Sequence, residues 1–198
     1  MTEQQAKFAK LFLETRLPEE LMAGITGNVP IEIKELPVKW LGVFRRKGKG
    51  FSGNIAKRLQ VKDVSILPSV DDPEKLEGIV TCEIDVTPDM CNAQGLLDQG
   101  CIVYLLDECS TISMVVGNAA EGRMAPAGVS QTINTLFHSA ATVGTTLRII
   151  NRALASGFET NSAKTEIWNK QTHRLVASGT QLSMSPSIPP KWAADKAT

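Results

Sequence analysis

The longest run of apolar positions lies near the middle of the chain, in residues 91–116. A loop-type stretch containing Gly95 opens it, and Asp98 stands where a helix N-cap is expected, because its side chain can accept amide hydrogens that the first turn leaves unpaired. Over residues 101–106 the only polar side-chain group is the hydroxyl of Tyr104. A helix that is apolar on every side is a buried helix. The pattern predicts one buried central helix, too short and too interrupted to cross a membrane.

Two adjacent acids, Asp107 and Glu108, interrupt this apolar helix. Moving a carboxylate out of water costs several kcal/mol unless another group pairs with it. Buried carboxylates of this kind cluster at functional sites. The alternative is that the helix turns both acids towards solvent near its middle. Spacing along the chain by itself favours the second interpretation.

Alternating apolar and polar positions predict strands on both sides of the helix. Residues 79–86 alternate before it, and four more runs follow it, at residues 129–138, 145–154, 162–168 and 174–184. In the first of these four, strict alternation places five side chains on one face: Ser130, Thr132, Asn134, Leu136 and His138. Regular strands with short turns after one long helix indicate an α+β fold, an antiparallel sheet wrapped around that helix.

The N-terminal third is less regular. Residues 2–27 show helical spacing with a break at Pro18, and residues 30–40 are mixed and interrupted by proline. The basic run that follows, which includes Arg45, Arg46 and Lys47, is either a solvated loop or a surface clamp for phosphates. We therefore expect an extension over residues 1–61, one domain over residues 62–185 and an irregular tail over residues 186–198.

Composition narrows the classes of function. The 198 residues include 21 basic and 21 acidic side chains, so the chain lacks the basic footprint of a nucleic-acid binder. The N-terminal residues do not read as a secretory signal, and the four cysteines form no metal-type pairs, which predicts reduced thiols in a cytoplasmic protein. With His138 and His173 as the only histidines, we expect no zinc or other metal.

A sequence motif at the start of the helix indicates a resemblance to a protein family. The run Asn92-Ala-Gln-Gly95-Leu-Leu-Asp98-Gln99-Gly100 is followed by Asp107 within the helix. Gly128-Val-Ser130 precedes Asn134, and residues 169–179 form a hairpin-like segment, Asn-Lys-Gln-Thr-His-Arg-Leu-Val-Ala-Ser-Gly. In this order the segments resemble the hotdog-fold acyl-CoA thioesterases of the phenylacetate-pathway and thioesterase-superfamily-member type, within the 4-hydroxybenzoyl-CoA thioesterase superfamily. The resemblance covers a little over half of the chain.

The resemblance implies a thioester hydrolase whose site forms between two subunits of a homodimer, often a dimer of dimers. It makes Asp107 the general base or nucleophile, with Ser130 orienting it or the water. It places Asn92 and the amide of Gly100 at the thioester carbonyl. It implies no cofactor, with coenzyme A bound as part of the substrate. Further residues expected near the substrate are Gly95, Gln99, Asn134 and His138, with Arg45, Arg46 and Lys47 as candidates for the CoA phosphate.

The chain departs from the family motif at two adjacent positions. The family has a His where this chain has Asp98, and a Gly where it has Gln99. Amides at a helix N-terminus still favour negative charge. An ionised Asp98 would oppose an oxyanion, or it would cap the helix and occupy the donors. Three functions stay open: a thioesterase, a ligand binder without turnover, and a biosynthetic enzyme of dehydratase or cyclase type on the same scaffold.

Several candidate residues also have an ordinary structural interpretation. Asn92 is a residue type that stabilises turns through its side-chain oxygen. Ser130 has no catalytic histidine beside it in the sequence, so a serine–histidine–acid triad is not supported. His138 would equally serve as a hydrogen-bonded rim residue.

Overall fold

A computed structural model describes residues 11, 14–45, 51–123 and 128–184. Its helices are α1 (Glu19–Met22), α2 (Ile31–Arg45), α3 (Gly53–Ala56) and α4 (Gln99–Ala120), with a 3-10 turn at Pro88–Met90. Its strands are β1 (Gln60–Pro68), β2 (Leu76–Asp85), β3 (Val129–Phe137), β4 (Thr146–Ala155), β5 (Thr160–Asn169) and β6 (Leu175–Met184). The expected irregular tail, most of the basic run (residues 46–49) and the first ten residues lie outside the described part.

The six strands form one antiparallel sheet in the order β1-β2-β4-β5-β6-β3. Helix α4 contacts all six strands, so the sheet curves around it. This confirms the predicted α+β architecture of an antiparallel sheet wrapped around a long central helix. Strand β3 lies at one edge of the sheet and β1 at the other.

Helix α4 is the core of the domain. Leu106, Cys109, Ile112 and Val116 are completely buried, and the last three belong to the main apolar core. At 22 residues the helix is long and apolar enough to cross a membrane by length and composition, so the expectation that it is too short was wrong. However, 67% of its most apolar window is buried inside the protein. The protein itself therefore covers most of this apolar surface.

Glycines allow the helix to approach the sheet closely. A Cβ atom on Gly78 of β2 would lie 2.4 Å from the backbone nitrogen of Gly117 in α4. On β6, a Cβ atom on Gly179 would lie 2.3 Å from the carbonyl oxygen of Asn134 and 2.4 Å from Leu106 Cδ1. Both positions lack room for any side chain. The sheet can therefore hold α4 tightly at its middle and near its C-terminal end.

Helix α2 covers a side of α4 that the sheet leaves open. The sequence suggested an irregular segment here, yet the helix is continuous over Ile31–Arg45 with Pro37 inside it. Proline lacks the N–H that would bond to the carbonyl one turn earlier. Burial of Leu36 and Leu41 offsets that loss, because each buried leucine contributes roughly 2 kcal/mol. Tertiary packing thus overrides the local signal.

Candidate active site

The carboxylate of Asp107 points between α4 and the sheet. Its Oδ1 atom accepts a hydrogen bond from the Ser130 hydroxyl on β3 at 2.7 Å and another from Gln181 Nε2 on β6 at 2.5 Å. The side chain is half-buried and paired with sheet residues, so the expectation that this acid simply turns towards solvent was wrong. An oriented carboxylate in a partly dry setting is a suitable general base.

A β-bulge brings Ser130 to this acid. Ser130 pairs with Ser183 of β6, but the next pair along joins Thr132 to Leu182, so the register shifts between them. The extra residue, Gln131, reverses which face the following side chains occupy. The prediction that Ser130 shares a face with Asn134 and His138 was therefore wrong.

Asn134 and His138 lie on the opposite face of the sheet from Asp107. Asn134 pairs with the exposed Thr180, and His138 Nε2 lies 2.9 Å from the hydroxyl of Ser178. Ser178 and Thr180 alternate with Gly179 and Gln181, whose side of the sheet faces the helix. Within one subunit, neither candidate contacts the acid.

Sequence reasoning missed Gln181. This side chain is only 1% exposed and also donates from Nε2 to Ser130 Oγ at 2.8 Å. Its Oε1 atom lies within hydrogen-bond distance of the hydroxyls of Ser110 and Thr111 on α4. The available signal was its place in the alternation of β6, since Ala177 and Gly179 occupy the same helix-facing side.

The start of α4 has the predicted cap. Asp98 has an extended backbone conformation, and its Oδ1 accepts a hydrogen bond from the amide of Gly100 at 2.8 Å. Gln99 and Gly100 are exposed at this helix end. The cap occupies one of the first-turn amides that would otherwise be available to a ligand oxygen.

Asn92 organises the loop before the helix. Its Oδ1 atom accepts from the amides of Gln94 at 2.9 Å and Leu96 at 3.2 Å. Gly95 completes the turn with a φ of +75° and donates its amide to the Asn92 carbonyl. No described residue accepts a hydrogen bond from the Asn92 Nδ2 group, which leaves its two N–H donors for a ligand.

Two further ionisable side chains, Glu108 and Arg45, lie where α2 packs against α4. Burial, with the nearby charge of Asp107, raises the pKa of Glu108 to about 7, although Arg45 acts in the opposite direction. Burial lowers the pKa of Arg45, whose Nη2 donates to the Leu59 carbonyl at 2.6 Å. The Arg45 guanidinium therefore already donates a hydrogen bond within the fold. Arg46 and Lys47 lie outside the described residues.

Comparisons with known proteins agree with this architecture. No protein-family model matches the chain. Human acyl-coenzyme A thioesterase 13 is 32% identical over 102 residues, which make up 52% of this chain and 69% of the human protein. The crystal structure of zebrafish thioesterase superfamily member 2 has a TM-score of 0.59 and 23% identity, and the match covers 75% of this chain and 97% of the zebrafish chain. For the Escherichia coli PaaI protein of the phenylacetic acid degradation operon, the TM-score is 0.53 at 17% identity, over 78% of this chain and 98% of that chain.

A curved antiparallel sheet around one buried helix, shared with these structures, is the hotdog fold of thioesterases. With its identity to acyl-coenzyme A thioesterase 13 over more than two thirds of that protein, the chain belongs to the thioesterase superfamily and is a thioesterase-like hydrolase.

Proposed function

We propose that this chain hydrolyses acyl-CoA or acyl-carrier thioesters with Asp107 as the general base. The observation that carries the proposal is the position of Asp107 on the buried helix. Its Oδ1 is held by Ser130 and Gln181, and among the described residues nothing donates to its Oδ2. The names of the relatives, acyl-coenzyme A thioesterases, support the same class of substrate.

In the proposed reaction, Asp107 accepts a proton from a water molecule as the water oxygen attacks the thioester carbonyl carbon. The tetrahedral intermediate then expels the thiolate as the carbon–sulfur bond breaks. The thiolate takes up a proton, and the products are a free acid and the thiol of coenzyme A or of a carrier. A base contributes about 10²- to 10⁴-fold to such a rate.

The donors for the carbonyl oxygen are proposed to be Asn92 Nδ2 and the amides at the start of α4. The Nδ2 group is available because the turn uses only the Oδ1 atom of Asn92. The amide of Gly100 becomes available when the carboxylate of Asp98 releases it. The helix dipole favours negative charge at this position.

We further propose that the site forms between two subunits paired along β3, in a homodimer or a homotetramer. The pattern of β3 supports this, because the edge strand Val129–Phe137 contains no charged residue and no proline, the usual protection of exposed edges. Leu136 is 64% exposed and Phe137 is 46% exposed. Pairing would cover apolar surface that a single subunit leaves in water.

The direct test is hydrolysis of short, medium, long and aromatic acyl-CoA esters, followed by the release of free thiol. Wild type is expected to hydrolyse at least one ester, and Asp107→Asn to lose about 10²- to 10⁴-fold in kcat. Asp71→Asn, in an exposed loop, is the control acid substitution and should match wild type. Equal rates for wild type and Asp107→Asn would refute the proposal.

Mixing two inactive variants tests the shared site. Asn92→Asp keeps the Oδ1 acceptor of the turn but removes the Nδ2 donors, and Asp107→Asn removes the base. Random pairing makes half of the dimers hybrid, and each hybrid holds one intact site. Co-refolded protein should therefore recover about a quarter of wild-type activity, whereas a site within one subunit would recover none.

The second candidate is a binder of acyl-CoA without turnover. The bond from the Gly100 amide to Asp98 favours it, because the cap occupies a donor that the oxyanion needs. Calorimetry would then detect tight binding of an acyl-CoA while no thiol is released. Asp98→His restores the family residue, and a gain of hydrolysis in that variant would identify a disarmed enzyme.

A further inference from the structure

Gln181 lies at the centre of a buried hydrogen-bond network that links two strands and the helix. Its amide nitrogen reaches Asp107 Oδ1 at 2.5 Å and Ser130 Oγ at 2.8 Å. Its amide oxygen faces the hydroxyls of Ser110 and Thr111. A glutamine amide has two N–H donors and one oxygen with two acceptor positions. Polar partners therefore hold both ends of the amide, which restricts the side chain to one orientation.

The network fixes which end of the amide faces the acid. The Ser110 hydroxyl also lies 2.7 Å from the Leu106 carbonyl, and the Thr111 hydroxyl lies 2.8 Å from the Asp107 carbonyl. Each hydroxyl can donate its proton either to the backbone carbonyl or to the Gln181 oxygen. The two hydroxyls are therefore compatible with either end of the amide. An ionised Asp107 accommodates only the N–H end, since an amide oxygen at 2.5 Å would repel a carboxylate oxygen.

As a result, the two carboxylate oxygens of Asp107 have different surroundings. Both donors, Ser130 and Gln181, converge on Oδ1. The other oxygen, Oδ2, accepts no hydrogen bond from the described residues. A carboxylate held by one oxygen presents the other in a fixed direction, and loss of such orientation by about 1 Å can cost 10²-fold in rate.

We infer that Gln181 is the positioning residue of the reaction: it holds Asp107 through Oδ1 and directs Oδ2 at the water. This inference rests on the proposed hydrolysis. Gln181 is only 1% exposed, so the inference places it behind Asp107 and out of contact with the substrate. Its removal should therefore lower kcat and leave KM nearly unchanged.

The test compares Gln181→Met, which keeps length but removes every hydrogen bond, with Gln181→Glu, which keeps the shape. Thr180→Ala, the exposed neighbour on the outer face, is the matched control. Gln181→Met is expected to lose about 100-fold in kcat with KM changed by less than about threefold. Gln181→Glu should move the rate–pH profile to higher pH, because a second carboxylate beside Oδ1 disfavours the ionised acid. If Gln181→Met does not fold, Gln181→Glu carries the test.

The outcomes separate this inference from the function itself. Wild-type kcat and pH profile in both Gln181 variants, with Asp107→Asn inactive, would leave the function standing and overturn the positioning role. A lower melting temperature with unchanged kcat would do the same, because it shows a purely structural role. Absence of hydrolysis by wild type, or full activity of Asp107→Asn, would overturn the proposed function and the positioning role with it.

Discussion

The carboxylate of Asp98 accepts a hydrogen bond from the amide of Gly100, with 2.8 Å between Oδ1 and the amide nitrogen. This contact stabilises the N-terminus of α4 and at the same time occupies a donor that the proposed reaction needs. Stability and catalysis thus compete for one N–H group. The competition can be measured by changing the charge of residue 98 while keeping its shape.

Asp98→Asn should retain the cap and remove the charge. We expect its free energy of unfolding to stay within about 0.5 kcal/mol of wild type, since both residue types are good caps. Its kcat should rise by up to about tenfold, because a negative charge no longer opposes the oxyanion. Asp98→Ala is the control without a cap and should lose about 1 kcal/mol. Urea denaturation and thiol release measure the two effects. A fall in kcat for Asp98→Asn would instead give the charge of Asp98 a role in the reaction.

Ser130→Ala removes the hydroxyl that donates to Asp107 Oδ1. With one of its two donors gone, the carboxylate is less well oriented, and we expect kcat to fall by roughly 10- to 100-fold. Thr132→Ala is the matched control, because the bulge puts Thr132 on the other face of β3. Steady-state kinetics on both variants check this. Equal losses of kcat in the two variants would contradict the prediction that only Ser130 orients Asp107.

Glu108 should make the fold less stable as the pH rises. In the unfolded chain it releases its proton near pH 4.5, but in the fold it holds the proton up to about pH 7. The contribution of protonated Glu108 to the free energy of unfolding is therefore fully present below about pH 4.5 and is lost as the pH rises through 7. Glu108→Gln should be more stable than wild type by roughly 1 to 3 kcal/mol at pH 8, allowing for partial solvent screening, and equal to it at pH 4.

Urea denaturation at several pH values measures this difference. Glu159→Gln, at an exposed position, is the control and should shift the unfolding free energy by no more than about 0.5 kcal/mol at any pH. A constant difference between Glu108→Gln and wild type across this pH range would contradict the assignment.

Gly179→Ala tests the close approach of sheet and helix. The added methyl would meet the Asn134 carbonyl and the Leu106 side chain at less than 2.5 Å, so the strands or α4 must shift. We expect a loss of about 1 to 3 kcal/mol in the free energy of unfolding. Thr180→Ala, next to it on the exposed face, should cost less than about 0.5 kcal/mol. Similar costs at both positions would show that the packing is looser than the distances suggest.

Local patterns in the sequence were sufficient to predict the central helix, its Asp98 cap and five of the six strands of the sheet. Helical and strand periodicities are properties of neighbouring residues, and a cap bonds to an amide two residues away. The motif around Asn92 and Asp107 indicated the family. The prediction for α2 failed because Pro37 is a strong local signal, and its helix is decided by packing on α4.

Only the tertiary structure decided how the site is assembled. Ser130 reaches Asp107 because one additional residue in β3 reverses the alternation, and no local pattern marks that bulge. Gln181 lies 74 positions from Asp107 in the chain, so their hydrogen bond exists only after the sheet has closed around the helix. The sequence determined which elements form, since burial of apolar side chains follows their spacing. The fold determined which polar groups meet, since hydrogen bonds depend on distance in space.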